Sequence, residues 1–397
     1  MGTDARVVTI ASRLFPPEPG AAAYRLGWLA RMLSRSGVTV RVLTTRPPRV
    51  ARSASTPRGD LAGGPSSSGG VTVRRWPVLR DKGGNVRGYI QFASFDGPLM
   101  FRLLATRTDL VIVEPPPTTG VAVRLVSALK RVPYVYYAAD VSSTAAAGIG
   151  VSPAVVRVLT AVESWVLRGA AHVLAVSEGV AAEVRSLGVD PGRVTVVGTG
   201  VDTEAFRPRP VPDDDVPTLV YAGTMSEIHG AEVFVRAFAQ VAPEHPEARL
   251  VMLGQGTERA ALEQLAQSLT PGRVSFEGLV ASDRVAEALG SAWVGLASVR
   301  PGRGYDFSFP TKMFVSTACG SPVIYAGVGP GAQMVREHDL GWAAPWDVEA
   351  VADAMREALA QRVSPARRAR LAEWTVANAS QESVSRRAVD AALGVLA

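Results

Sequence analysis

Residues 303–324, RGYDFSFPTKMFVSTACGSPVI, hold the most suggestive chemistry of the chain. Pro310 is placed to open a helix, because its missing N–H would lack a partner in the first turn anyway. Gly320 is the stop expected before the chain turns. Between them, Lys312 falls in the first helical turn. A loop that ends at a helix N-terminus presents free amides and the positive end of the helix dipole, and an ammonium there adds to both. Such an arrangement binds anions, and phosphate is the obvious guest. The same spacing fits a surface lysine on an ordinary helix equally well, since one lysine near a helix start is a weak signal. The rest of the chain has to decide.

A helix so placed needs a sheet behind it, and the pattern supplies one twice. Residues 6–11 (RVVTIA) read as a buried strand, apolar and β-branched. A Pro/Gly loop and a helix from about Ala21 to Gly37 follow, then a strand at 38–45. Strand, helix and strand with short links make a parallel, right-handed unit. Its first loop lies at the carboxyl end of the sheet, where open α/β folds bind ligands. There Gly20, Ala21 and Ala22 leave room for a ligand or for close helix–sheet packing. Further strands are expected at 71–78, 109–117, 132–140, 171–179 and 193–202, and the one at 132–140 delivers Asp140 to its carboxyl end. Residues 52–70 are low-complexity Gly/Ser/Pro. The glycines and prolines from Gly198 to Pro212 read as a domain exit.

The pattern then restarts with strand, Gly loop and helix over 218–238. Strands are expected at 248–256, 273–280, 292–299 and 321–327, each followed by a helical segment. The expected class is α/β, with two doubly wound parallel-sheet domains facing each other across a cleft. The first spans 1–200 and the second 210–375, and a C-terminal helix over 376–397 packs back onto the first.

Composition narrows the partners. The chain has 397 residues, 47% hydrophobic and 20% charged, which is globular and long enough for two cores. The single cysteine, Cys319, excludes an internal disulfide framework, and no Cys/His cluster suggests a metal. A reduced, cytoplasmic setting fits. No stretch reaches the roughly 20 apolar residues of a spanning helix, and no signal pattern opens the sequence. The net charge of +6 hides an asymmetry: residues 1–200 hold 24 Lys and Arg against 12 Asp and Glu, while 201–397 hold 18 against 24. The basic half suits an anionic partner, although its arginines are dispersed and match no nucleic-acid motif. Between Trp76 and Phe95, bases and aromatics mix (Arg80, Lys82, Arg87, Tyr89, Phe92). That fits a membrane surface or, more commonly, a basic helix covering a sheet.

Loops 223–230, 278–282 and 301–312 of the second domain would line the cleft, opposite 16–22 and Asp140 of the first. Backbone amides, small residues and one lysine dominate, which suits a diphosphate better than a metal or covalent chemistry. There is no nucleophile elbow, no Walker lysine and no dinucleotide fingerprint after the first strand. His229 fits a phosphate ligand or a turn filler. His172, His245 and His338 read as structural or surface residues.

Over nearly its whole length the chain resembles a GT-B glycosyltransferase of the large retaining family 4. The matching pieces are FPPEPGAAAYRLGWLARML (15–33), VSEGVAAEVRSLGVDPGRVTVVGTGVDTEAFRP (176–208), YAGTMSEIHGAEVFVRAF, LGQGTERAALEQLA (253–266), VSFEGLV and FPTKMFVSTACGSPVI. Within the family, the PPE and Pro-Thr-Lys segments look like a branch of bacterial N-acetylhexosaminyl and fucosaminyl transferases. The resemblance implies that the amides of Gly20 and Ala21 lie near a donor diphosphate. It also implies that Lys312 neutralises the leaving phosphates, with Pro310 and Thr311 at its helix start. Gly223, Thr224 and His229 would flank the phosphates, and the 278–280 backbone, with Leu279 and Val280, would read the base. Asp306, Phe307 and Ser308 would meet the donor sugar, and Asp140 would stand beside the acceptor. Two departures stand out. The family's Glu-x7-Glu signature is replaced by Phe307 and Val315, the second at the place that normally holds the nucleotide ribose. A usual arginine is Met225.

These features imply a retaining transfer from a nucleoside-diphosphate sugar, UDP-linked first and GDP-linked second. The expected mechanism is front-face, with no cofactor and no metal. The acceptor is polyprenyl-linked, at the inner membrane face, or a soluble metabolite. Two other readings compete. One is a sugar-nucleotide epimerase, which needs carboxylate/His acid–base pairs. The other is a sugar-nucleotide-binding protein without turnover, suggested by Phe307 and Val315.

Overall fold

The computed structural model describes residues 6–18, 21–47, 70–81, 86, 88–148, 151–210, 216–302 and 310–397. The chain divides into two compact units, Met1–Gly198 with Val384–Ala397, and Thr199–Ser383.

Unit 1 is built on seven parallel strands: β1 (Val7–Ala11), β2 (Thr39–Thr45), β3 (Val71–Trp76), β4 (Leu110–Val113), β5 (Tyr134–Ala138), β6 (His172–Ala175) and β7 (Val194–Val196). Their order across the sheet is β3-β2-β1-β4-β5-β6-β7. The central strands LVIV and YVYYA are buried along their whole length, as expected where helices cover both faces of a parallel sheet. The helix Ala21–Arg35 buries Ala23, Leu26, Leu29, Ala30 and Leu33, one face at helical spacing. Val384, Ala388, Val389 and Ala392, near the C-terminus, complete the core that holds Val8 and Ile10.

Unit 2 repeats the design with six parallel strands: β8 (Thr218–Ala222), β9 (Arg249–Leu253), β10 (Val274–Glu277), β11 (Val294–Ser298), β12 (Val323–Ala326) and β13 (Gly341–Ala344). The order is β10-β9-β8-β11-β12-β13. The helices Glu232–Val241 and Val348–Ala360 close one face over Leu219, Tyr221, Leu250 and Met252. In both units the chain order along the sheet reverses beside the first strand, between β1 and β4 and between β8 and β11. The crevice at such a switch point is where this architecture binds ligands.

Several expectations are corrected. The ladders end earlier than the apolar runs suggest: the run expected to pair over 132–140 does so only over Tyr134–Ala138. The residues beyond the strand ends form the loops that border both cavities. β13, reading GWAA, carries no strand signal of its own; it is an edge strand that pairs with β12. The expected C-terminal helix is two, Pro365–Ala379 and Gln381–Gly394. Ser380 is extended between them, because Val201 N–H bonds to Ala379 O at 2.8 Å and Gln381 N–H to Val201 O at 2.9 Å. Of the residues weighed for a membrane surface, Lys82, Arg87 and the Tyr89 side chain lie outside the described ones, and Phe92 is half-buried. Trp76 and Phe95 are buried and stack at 4.9 Å, and Arg80 pairs with Glu18 at 3.0 Å. Among the described residues no helix is long and apolar enough to cross a membrane.

Candidate functional site

In unit 2 a cavity of about 600 Å³ opens at the switch point of the sheet. Its border comes from the loops that follow β8, β9, β10 and β11 and from the helix Thr311–Ala318. Two glycines build its floor. Gly223, at φ 145°, and Gly254, at φ 133°, lie where side chains are strained, and neither has room for one. A Cβ on Gly254 would stand 2.2 Å from Gly223 O, and one on Gly223 would stand 2.3 Å from Lys312 Cε. The ladder continues through them as Gly223 N–H to Leu253 O at 2.8 Å and Met225 N–H to Gln255 O at 2.9 Å. The sheet therefore delivers bare backbone to the spot that Lys312 overhangs.

The helix carrying Lys312 is fixed from behind. Gly295 in β11 leaves space for Ser316, whose hydroxyl donates to Ser321 O at 3.0 Å. Thr375 donates to Thr317 at 2.7 Å, and Phe314 stacks on Trp374. Pro310 stands at the N-cap, and Gly320, at φ 83°, makes the turn after the helix. At the front, the Lys312 ammonium donates to the Tyr221 hydroxyl at 2.9 Å and lies 4.8 Å from the centre of its ring. That hydroxyl in turn donates to Thr224 O at 2.7 Å. Burial pulls the Lys312 pKa down to about 7. His229 is pulled down to about 4, by burial first and by the charge of Lys312 second. Its Nδ1 meets the Ser226 hydroxyl at 2.8 Å, and its carbonyl accepts from Ser298 at 2.6 Å. With the Ser226 hydroxyl donating, the imidazole is a neutral N–H donor at Nε2.

Unit 1 has its own cavity of about 400 Å³, bordered by Arg13, Arg25, Glu114 and Asp140 among others. Its position is again the switch point: Arg13 follows β1, Glu114 follows β4 and Asp140 follows β5. Glu114 accepts from Ser12 at 2.7 Å and pairs with Arg25 at 3.0 Å. Arg13 donates to Val86 O at 3.1 Å and covers the Phe92 ring at 4.0 Å. Burial lowers the Arg13 pKa to about 10 against the pull of Asp96 and Glu114. Asp140 keeps a face to solvent, yet the protein around it raises its pKa, with Arg25 holding it down. Among the described residues no group of three or more His, Cys, Asp or Glu stands ready to hold a metal ion.

Comparison with known proteins identifies these sheets. Residues 20–200 match the family described as a glycosyl transferase 4-like domain, and residues 216–361 match glycosyl transferases group 1. The chain carries a glycosyl transferase 4-like domain followed by a glycosyl transferases group 1 domain. It is 30% identical to the D-inositol 3-phosphate glycosyltransferase 2 of Catenulispora acidiphila, over 45% of this chain and 45% of that protein. The match thus spans less than half the length of that curated relative. Two solved structures share the fold across almost the whole chain. Sucrose-phosphate synthase from Thermosynechococcus elongatus superposes with a TM-score of 0.72 at 20% identity, covering 96% of this chain and 97% of that one. Anabaena Alr3699/HepE in complex with UDP superposes at 0.70 and 14% identity, covering 97% and 98%. At such identities the likeness is one of fold.

The glycosyltransferase fold gathers nine of the residues singled out from sequence around the unit-2 cavity. These are Gly223, Thr224, His229, Leu279, Val280, Pro310, Thr311, Lys312 and Val315. Asp140 borders the unit-1 cavity. Ala21 is the exposed first residue of its helix and does not border either cavity. Gly20, Asp306, Phe307 and Ser308 lie outside the described residues. Met225, which stands where the resemblance expects an arginine, is buried in the unit-2 core, and its neighbour Thr224 borders the cavity. Sequence reasoning missed Tyr221, Ser226 and Phe206, and in unit 1 Arg13, Arg25 and Glu114. A tyrosine inside an apolar strand carries no distinct signal. The charges directly after β1 and β4 do, because strand ends at a switch point are where ligands sit.

Proposed function

We propose that this glycosyltransferase moves a sugar from a nucleoside-diphosphate sugar to an acceptor, with retention of configuration and without a metal ion. The donor is UDP-linked first and GDP-linked second. Lys312 carries this reading. It is the one charged side chain among the described residues that line the unit-2 cavity, it stands at a helix start, and glycine backbone lies beneath it. When the glycosyl–phosphate bond breaks, positive charge develops at the anomeric carbon and negative charge on the diphosphate. Fixed amides and an ammonium aimed at that charge lower the barrier without reorganising. The neutral His229 adds one N–H donor without adding a charge. The structurally similar Anabaena protein is in complex with UDP, which supports a nucleotide ligand.

Front-face attack guided by the leaving phosphate retains configuration and requires no enzyme nucleophile. Asp140, with its raised pKa, orients the acceptor hydroxyl or takes its proton. The acceptor is a polyprenyl-linked carrier or a soluble metabolite. The enzyme works in the cytoplasm, at the inner membrane face where the acceptor is lipid-borne. Placement in the N-acetylhexosaminyl and fucosaminyl branch rests on the PPE and Pro-Thr-Lys segments alone.

The test is incubation with UDP- and GDP-sugars and a panel of acceptors in the presence of a chelator. Nucleotide release and the anomeric coupling of the product are then read by NMR. A product of retained configuration supports the proposal. Epimerised donor in the absence of acceptor would make the protein an epimerase, and tight binding with no turnover would make it a binding protein.

A further inference from the structure

Three helices of unit 1, Tyr89–Leu104, Pro117–Lys130 and Pro153–Gly169, pack side by side. Thr119 donates to Asp96 at 2.7 Å and Lys130 to Leu103 O at 3.0 Å, which joins the first to the second. A Cβ on Gly120 would stand 2.5 Å from Val166 Cγ1, and the Arg124 guanidinium lies 3.9 Å from the centre of the Trp165 ring, which joins the second to the third. Inward they bury residues such as Val123, Val126, Val166 and Leu167.

A helix that covers a sheet ordinarily turns polar and charged residues outward. Here Phe101 is 75% exposed, Leu129 74% and Val158 65%, and Leu104, Leu125 and Trp165 are exposed with them. Phe101 and Leu104 are three residues apart and Leu125 and Leu129 four, so each pair shares a helix face. Single exposed apolar residues are ordinary, but a run of them across three neighbouring helices marks an interaction surface. It gathers toward the helix ends that lead into β4, β5 and β6, away from the cavity at the carboxyl ends of those strands.

The charge on this face has one sign. Arg107, Arg131, Arg157 and Arg168 stand exposed on the same helices or just after them. Among the described residues the only carboxylates on the three helices are Asp96 and Glu163, and both are buried. A two-fold pairing with a second copy would set this face against itself, arginines toward arginines. An anionic bilayer answers both features. The apolar side chains enter the headgroup boundary, while the arginine stems lie along it and hold their guanidinium groups at the phosphates. Trp165, with Arg124 on its ring, is of the residue type that settles at that boundary.

We infer that this three-helix face docks unit 1 onto a membrane surface rich in anionic lipid. The docking surface does not depend on which donor the enzyme uses.

Sedimentation of the full chain with phosphatidylcholine vesicles, with and without phosphatidylglycerol, tests it. Binding to the phosphatidylglycerol vesicles is expected, weakening as salt rises and about tenfold or more weaker on phosphatidylcholine alone. Arg131→Ala and Arg168→Ala should each cost about fivefold, the effect of one basic residue near such a surface. Phe101→Asp combined with Leu129→Asp should abolish binding and leave the thermal midpoint unchanged, because both side chains already face solvent. Equal binding to the two compositions overturns the inference, as does wild-type binding by the folded double variant. Failure to bind either vesicle also overturns it. A dimer in sedimentation velocity that the double variant breaks would then assign the face to a second copy, and binding of polyglutamate would assign it to an acidic protein.

Discussion

The two sheets share one plan and part company at the same point on it. Each opens a cavity at its switch point, bordered by the residues that follow the central strands. In unit 1 the charges there have already met: Arg25 lies 3.0 Å from Glu114, and Glu114 also takes the Ser12 hydroxyl. In unit 2 the described lining has a single charge, and the partners described for it are the neutral oxygens of Tyr221 and Thr224. The first cavity is balanced and can read hydroxyls without a change of charge. The second holds an ammonium at a depressed pKa and gains by taking in an anion. One fold thus serves two chemistries, and the charge balance at the strand ends separates them.

If the units are independent, damage to one leaves the other's chemistry intact. Arg25→Ala strands Glu114, which is only 4% exposed, without its cation. It is expected to lower stability by about 3 kcal/mol in urea denaturation and to leave nucleotide affinity at unit 2 unchanged. Gly254→Ala forces a Cβ onto Gly223 O and should cost about 1–3 kcal/mol. In contrast to Arg25→Ala, it should weaken nucleotide binding too, because the cavity floor moves.

The pH dependence carries a definite sign. Binding requires the Lys312 ammonium, whose pKa in the free protein is about 7. Affinity for UDP should therefore fall as pH rises above 7, by up to tenfold per unit, when measured by calorimetry between pH 7 and 9. In the free protein the effect on folding is opposite. The folded pKa lies below the unfolded value of about 10.4, so the contribution of this group to stability rises as pH climbs between the two. His229, at about pKa 4, stays neutral across that range and adds no step near pH 6.5. The smallest effect is that of His229→Ala. It removes one neutral donor and should weaken nucleotide binding about fivefold, near 1 kcal/mol.

Much of this was legible before any coordinates. Runs such as LVIV and YVYYA are apolar because both faces of a parallel sheet are covered, so they announce central strands. Pro310 and Gly320 mark the bounds of one helix, and they carried Lys312 into place. What stayed hidden depended on contacts between distant segments. β13 exists because β12 offers it an edge, and the break at Ser380 exists because Val201 bonds across it. Tyr221 looked like one more strand residue until the fold brought its hydroxyl under Lys312. The burial of Met225, with Thr224 beside it bordering the cavity, likewise depends on how the loop after β8 folds back onto the core. Asp140 was found by its place at a strand end, a rule that would have found Arg13 and Glu114 as well.

The central claim is that Lys312 is held ready for a diphosphate, and removing it is the most direct test. Calorimetric titration of UDP into wild type and Lys312→Ala should show affinity falling about a hundredfold, the scale of one lost preorganised donor. The thermal midpoint should hold steady or rise, because the lost ammonium is one that burial disfavours. A folded Lys312→Ala protein that binds UDP as tightly as wild type would contradict the account.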